Sequence, residues 1–218
     1  MPAGSGVQHI FGPRAHEPPK ETRLSSSAIA VVSSSQCINA IETWVDTMVI
    51  GLGLCPFAQR EILSHRVRFC MTPAIAETEL MAALRNELTH LINDESIETT
   101  LLIHPNVLHD FHSYNQFLNV ADDLLVDMAL EGTFQIASFH PQYQFAGTEP
   151  DDAENYINRS PYPILQLLRE ARVADAVYHH PNTQAIVERN IMQMNKLGLN
   201  AARSLLNACY THNQPDRV

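Results

Sequence analysis

Apolar positions along this chain recur in two modes, one at helical steps and one in short unbroken runs. Ile38, Ile41, Val45, Met48 and Val49 follow one another at three- and four-residue steps, which places them on one helical face, and Gly51 and Gly53 end that stretch. Arg66–Met71 reads as a short strand that stops at Pro73. Leu80, Ala83, Leu84, Leu88 and Leu91 form a second helical stripe, and Thr99–Ile103 is a β-branched and apolar run that stops at His104-Pro105. Leu108, Phe111, Leu118, Ala121, Leu125 and Met128 predict a long helix broken at Gly132. Phe134–Phe139 is the third strand, closed by His140-Pro141.

Each pair of successive strands is thus joined by a segment long enough for a helix, the connection that parallel strands require. The pattern predicts an α/β fold with a small, mainly parallel three-stranded sheet, flanking helices and a helical C-terminal part. An α+β fold with an antiparallel ferredoxin-like sheet is the alternative, since strand direction is inferred only from connection length. Beyond the third strand, Thr148 reads as the cap of a helix opening at Glu149-Pro150. Ser160 with Pro161 reads as the start of a helix over Ile164–Arg172. Two further helices are predicted over Pro181–Leu197 and Leu199–Cys209, separated by Gly198. Residues 1–35, with paired prolines and serine runs, read as a tail, residues 36–210 as one domain, and 211–218 as a second tail.

Composition narrows the function classes. Of 218 residues, 45% are hydrophobic, enough to build a core, so global disorder is not expected. A formal net charge of -10 repels phosphate backbones, which argues against nucleic-acid binding while leaving room for one basic cleft. Apolar runs such as Met48–Leu54 are too short to span a bilayer, so no membrane association is expected. Cys37, Cys55, Cys70 and Cys209 include no CxxC pair and suggest a reduced compartment. The expectation is a soluble, cytoplasmic protein. Organellar targeting by the Ser-rich tail is the alternative, weakened by Glu17 and Glu21. Nothing in the sequence identifies a cofactor or an oligomeric state.

Two stretches carry a family likeness. One is Trp44 to Ala58, above all Leu54-Cys55-Pro56-Phe57-Ala58. The other runs from Gln135 to Pro141, then through Tyr143, Phe145, Thr148, Asp152, Asn155 and Asn158-Arg159-Ser160-Pro161-Tyr162-Pro163 to Leu168-Arg169-Glu170. Together they resemble the domain of unknown function 1415 family, over roughly Cys37 to Leu197. The resemblance implies an intracellular bacterial-type or organellar domain and carries no activity, cofactor or residue role with it.

Three groups of residues could carry chemistry. Cys55 precedes Pro56 and a short helix over Phe57–Leu63, so the helix dipole would favour its thiolate as a nucleophile; the plain alternative is a buried small hydrophobe. His140 stands at the carboxyl end of a strand, where open α/β sheets place ligand sites, and would act as acid/base. His104 occupies the same place on the preceding strand, and on adjacent strands about 4.8 Å apart the two imidazoles would share a ligand. Arg159, beside a helix start, would clamp an anion, with Asn158, Asp152, Arg169 and Tyr143 around it. The alternative for these polar residues is internal pairing that holds the loop. No HxH or HExxH spacing supports a metal site among His104, His140, Asp151 and Asp152. The leading expectation is therefore a small-molecule enzyme with a Cys/His/Arg loop site acting on an anionic metabolite. A non-catalytic anion- or partner-binding domain is second, and a metal-dependent hydrolase third.

Overall fold

The structure, a computed structural model, describes residues 33–171 and 183–211. The N-terminal tail expected over 1–35 lies almost wholly outside the described residues, as do the start of the helix expected at Pro181 and the C-terminal tail beyond Thr211. The chain runs α1 (Ser34–Trp44), a π-helical segment (Val45–Ile50), α2 (Ala58–Leu63), β1 (Val67–Met71), α3 (Glu77–Asn93), β2 (Thr99–Ile103), α4 (Phe111–Asp127), β3 (Phe134–Phe139), a 3-10 turn (Ala153–Ile157), β4 (Ile164–Arg169), α5 (Thr183–Leu197) and α6 (Leu199–Thr211). No described helix is long and apolar enough to cross a membrane.

Local sequence explains most boundaries. Ser33 opens α1 as a capping box, its hydroxyl accepting from the Gln36 N–H while the Gln36 side chain accepts from the Ser33 N–H. The α1 ladder then widens to π spacing, and Gly51 donates to the Asp46 carbonyl at 2.9 Å. A Cβ at Gly51 would lie 2.3 Å from the Thr47 carbonyl oxygen, so only glycine fits this exit.

The sheet is mixed and four-stranded, in the order β1-β2-β4-β3. β1 and β2 pair in parallel, and β4 lies antiparallel to both β2 and β3. The three strands expected from the sequence therefore do point the same way, but β4 stands between the second and third. This corrects the expected three-stranded sheet and the helix expected over Ile164–Arg172. A central strand buried on both faces carries a near-continuous apolar run such as Ile164-Leu165-Gln166-Leu167-Leu168, which periodicity cannot separate from a buried helix. Ser160 caps nothing: its hydroxyl donates to the Tyr162 carbonyl at 2.6 Å. Nor does a helix open at Glu149-Pro150. The Thr148 hydroxyl is turned inward, donating toward the Asn155 Oδ1 at 2.8 Å and the Phe145 carbonyl at 2.9 Å.

Strand alternation divides the core in two. Leu102, Ile136, Leu165 and Leu167 face α3 and α4, which contribute Leu80, Leu84, Leu88, Tyr114, Phe117 and Leu118. Leu101, Ile103, Ala137, Phe139 and Ile164 face the other way, against Ile41, Trp44 and Met48 near the N-terminus and Met194, Ala202 and Leu206 of α5 and α6. The result is a helix–sheet–helix sandwich in which the carboxyl ends of β1, β2 and β3 share one edge.

Candidate functional site at the carboxyl edge of the sheet

Leaving β1, the chain turns through Ile75 and Ala76 into α3; leaving β2, it turns through Val107 and Leu108 into α4, which Asp110 caps by accepting from the Ser113 N–H at 2.8 Å. Between these turns lies an open crevice of about 340 Å³, walled by Ile75, Ala76, Val107 and Leu108 and rimmed by Glu77, His109, Asp110 and Ser113. It sits outside the carboxyl ends of adjacent parallel strands, the usual ligand position in open α/β sheets. The first-turn N–H groups of α3 and α4 border it, and Ala76 gives α3 no side-chain cap.

The crevice wall is held from behind by the two strand-end histidines. Both are fully buried. The Nδ1–H of His104 donates to the Val107 carbonyl at 3.1 Å, and the Nε2–H of His140 donates to the next carbonyl, Leu108, also at 3.1 Å. His140 Nδ1 accepts from the Gln142 N–H at 3.0 Å, which fixes its tautomer. Between these anchors Leu108 adopts φ 58, a left-handed conformation that a branched side chain rarely takes. Burial drives the pKa of His140 down to about 4 and that of His104 down to about 3, so both are neutral at physiological pH.

Tyr114 stands against both rings, with centroids 5.8 Å from His104 and 4.9 Å from His140. Its hydroxyl donates to the Ile164 carbonyl at 2.7 Å and accepts from the Phe139 N–H at 3.1 Å, so a phenol oxygen bridges the β3–β4 pair at its last register position. The two histidines flank Pro163 rather than one another, because β4 intervenes. Their backbones are therefore about two strand spacings, or roughly 10 Å, apart, and the expectation of imidazoles side by side on adjacent strands is corrected accordingly. Phe111, Tyr143 and Phe145 continue the aromatic row from His140.

Tyr143, Asp152, Asn158 and Arg159 fall in the strap from His140 to Pro163. Arg159 donates to the Tyr143 carbonyl at 3.0 Å and the Pro150 carbonyl at 2.7 Å, and its guanidinium lies 4.7 Å above the Tyr156 ring. The Asn158 amide donates to the Ser138 carbonyl at 3.3 Å, while its own carbonyl accepts from the His140 N–H. Asp152 accepts from the Glu149 N–H at 2.8 Å. Arg169 is elsewhere. At the opposite edge of the sheet it donates to the Leu91, Asp94 and Ile97 carbonyls, closing the C-terminal end of α3.

Cys55 belongs to the other helical layer, next to Leu54, whose carbonyl accepts from Asn190 of α5 at 2.7 Å. Burial pushes the Cys55 thiol up, against the N–H groups of Phe57 and Ala58 and the Arg189 charge, which pull it down, and burial prevails. The structure thus brings His140, Asn158, Arg159 and Tyr143 together and leaves Cys55 and Arg169 apart from them. Among the described residues no group of three or more His, Cys, Asp or Glu could hold a metal ion. Sequence reading missed Tyr114, although it falls three residues after Phe111 on the same stripe. It also missed the crevice residues Glu77 and Ser113, which sit at helix starts and match no catalytic motif.

The model of one protein family, described as Protein of unknown function (DUF1415), matches residues 36–204. No curated protein and no solved structure matches the chain.

Proposed function

The chain belongs to the DUF1415 family, and from that premise we propose that this domain binds a small metabolite in the crevice between the starts of α3 and α4, without itself catalysing a reaction. The observation that carries this reading is the wall residue Leu108, held at φ 58 by hydrogen bonds from two buried histidines. Strained backbone persists only where its surroundings over-determine it, and such places concentrate at ligand sites. An acceptor head group suits the first-turn N–H groups of α3, which has no side-chain cap, whereas Asp110 already takes those of α4; an apolar portion suits Ile75, Val107 and Leu108. The histidines then serve as positioning residues behind the wall.

The enzyme reading, with Cys55 as nucleophile, His140 as acid/base and Arg159 as anion anchor, has weaker support. Cys55 and His140 lie on opposite faces of the sheet, both nitrogens of His140 are engaged by backbone, and Arg159 is engaged by two carbonyls. A thermal-shift titration with phosphate, sulfate and small carboxylates tests the choice. Ala76→Asp would cap α3 with its own carboxylate and compete for the same N–H groups. The expected result is stabilisation of wild type that Ala76→Asp loses and Arg159→Lys keeps. The opposite pattern would move the site to the strap and overturn the proposal.

A further inference from the structure

We propose that the free edge of β1 is a self-association surface, on which a second copy of this chain lays its own β1 antiparallel and so doubles the four-stranded sheet. β1 ends the sheet, with β2 on one side and no strand among the described residues on the other. The Arg66 carbonyl accepts from the Glu98 N–H, and the Thr72 N–H donates to the Ile103 carbonyl, so these residues turn their backbone toward β2. Strand alternation then turns the N–H and C=O groups of Val67, Phe69 and Met71 outward. Proteins usually blunt such an edge with lysine, proline or a bulge. Val67–Met71 contains no lysine or proline and pairs with β2 without interruption. Its one charge, Arg68, is drawn onto Glu87 at 2.8 Å.

The edge matches itself. A two-fold axis through Phe69, normal to the sheet, sets Phe69 against the partner's Phe69 and Val67 against the partner's Met71, so outward-facing backbone groups meet one another. The side chains of these residues margin the second core, where they are only partly buried, and each cross-strand pair covers apolar surface. On the other face Arg68 falls opposite the partner's Cys70. That thiol donates to its own Glu87 at 3.3 Å, so Arg68 comes within reach of the partner's Glu87 and opposite charges alternate across the axis. Leu63 and Ile75, the most exposed large hydrophobics among the described residues at 72% each, stand just beyond the two ends of β1. Antiparallel pairing brings the Leu63 end of one copy to the Ile75 end of the other, twice. A strand from the chain's own N-terminal side fits the edge less well. Ser34 donates to the Met71 sulfur at 3.4 Å, so a strand leading directly into α1 would run parallel to β1. Because α1 packs on the opposite face from α3, that crossover would be left-handed.

Ile75 also walls the crevice, so the partner's Leu63 would lie beside that site; this point alone rests on the ligand-binding reading. One edge strand with two apolar contacts is a small interface, which places the dimer in the micromolar range. Sedimentation velocity of the full chain from about 1 to about 300 µM should show a reversible monomer–dimer equilibrium. Leu63→Lys and Ile75→Glu, both at exposed positions, should each weaken it by about tenfold or more. Mixing the two variants in equal amounts should restore the dimer. The antiparallel order sets the new ammonium against the new carboxylate at one end and keeps Leu63 against Ile75 at the other. Amide hydrogen exchange should show the Val67, Phe69 and Met71 N–H groups gaining protection as concentration rises, with those of Arg68 and Cys70 protected throughout. A monomer at every concentration, a dimer that neither substitution weakens, or weakened variants that mixing does not rescue would each overturn the proposal. Protection of the three outward amides that ignores concentration would overturn it in favour of the chain's own N-terminal residues. Failure of the thermal-shift titration would remove the ligand reading and leave the dimer standing.

Discussion

Replacing Tyr114 with Phe removes one oxygen and keeps the ring. The ring lies fully buried against His104, His140 and Phe111, so packing is conserved and the change isolates the hydroxyl. That hydroxyl accepts from the Phe139 N–H and donates to the Ile164 carbonyl, at the carboxyl edge of β3. A buried backbone group left without its partner costs about 1–3 kcal/mol. Two groups are affected here, but they face each other across the β3–β4 ladder and can close part of the gap. A net loss of about 2 kcal/mol follows. For a domain of this size each kcal/mol corresponds to about 2–4 °C in Tm, so the variant should melt roughly 4–8 °C lower. Urea denaturation of both proteins, with the slope checked for constancy, gives the free energy directly. A loss below about 0.5 kcal/mol would refute the view that this phenol oxygen is part of the sheet's hydrogen bonding.

Other outcomes follow from the same structure. Ala129 ends α4 at φ 55, with its own N–H bonded to Val126 and that of Leu130 bonded to Leu125, a Schellman closure in which glycine avoids the left-handed penalty; Ala129→Gly should stabilise by about 1 kcal/mol in the same denaturation assay. All four thiols are free and burial raises each one, so Cys55 should react with a disulfide reagent at pH 7.5 more slowly than a model thiol; a rate at or above the model value would restore it as a nucleophile candidate. Burial alone would raise the Glu87 carboxyl, but hydrogen bonds from Arg68 and Cys70 outweigh it and hold the group below its ordinary value. Its stabilisation is therefore present above the ordinary carboxyl range and lost as pH falls through the folded value. Glu87→Gln should cost about 1 kcal/mol at pH 7, and its difference from wild type should shrink on acidification.

The parts of the fold written in local pattern were readable in advance. The α3 stripe and the runs that became β1, β2 and β3 each depend on neighbours within a few residues, and their common direction follows from the helices between them. The 160–169 stretch was not, because Pro161 after Ser160 imitates a helix start, and Ile164–Leu168 is apolar on both faces for reasons that lie in β2 and β3. The site divides in the same way. His140 and Arg159 stood out by chemistry and do sit near one another, but whether their polar atoms meet a ligand or a carbonyl depends on long-range contacts. The bonds from His140 to Leu108 and from Arg169 to Leu91 cross 32 and 78 residues, and nothing at either end signals the other.

The place of β4 bears on how the protein is made. Among the described residues it is the last strand, yet it joins β2 to β3 in the middle of the sheet. Until residue 169 has left the ribosome, β2 has only β1 beside it among the described strands, and β3 has none of them. Every strand pair that includes β3 thus waits on the final strand, while the α3–β2 contacts close earlier. Sheet completion is a late, long-range step, with the open sides of β2 and β3 as the surfaces that need protection during synthesis.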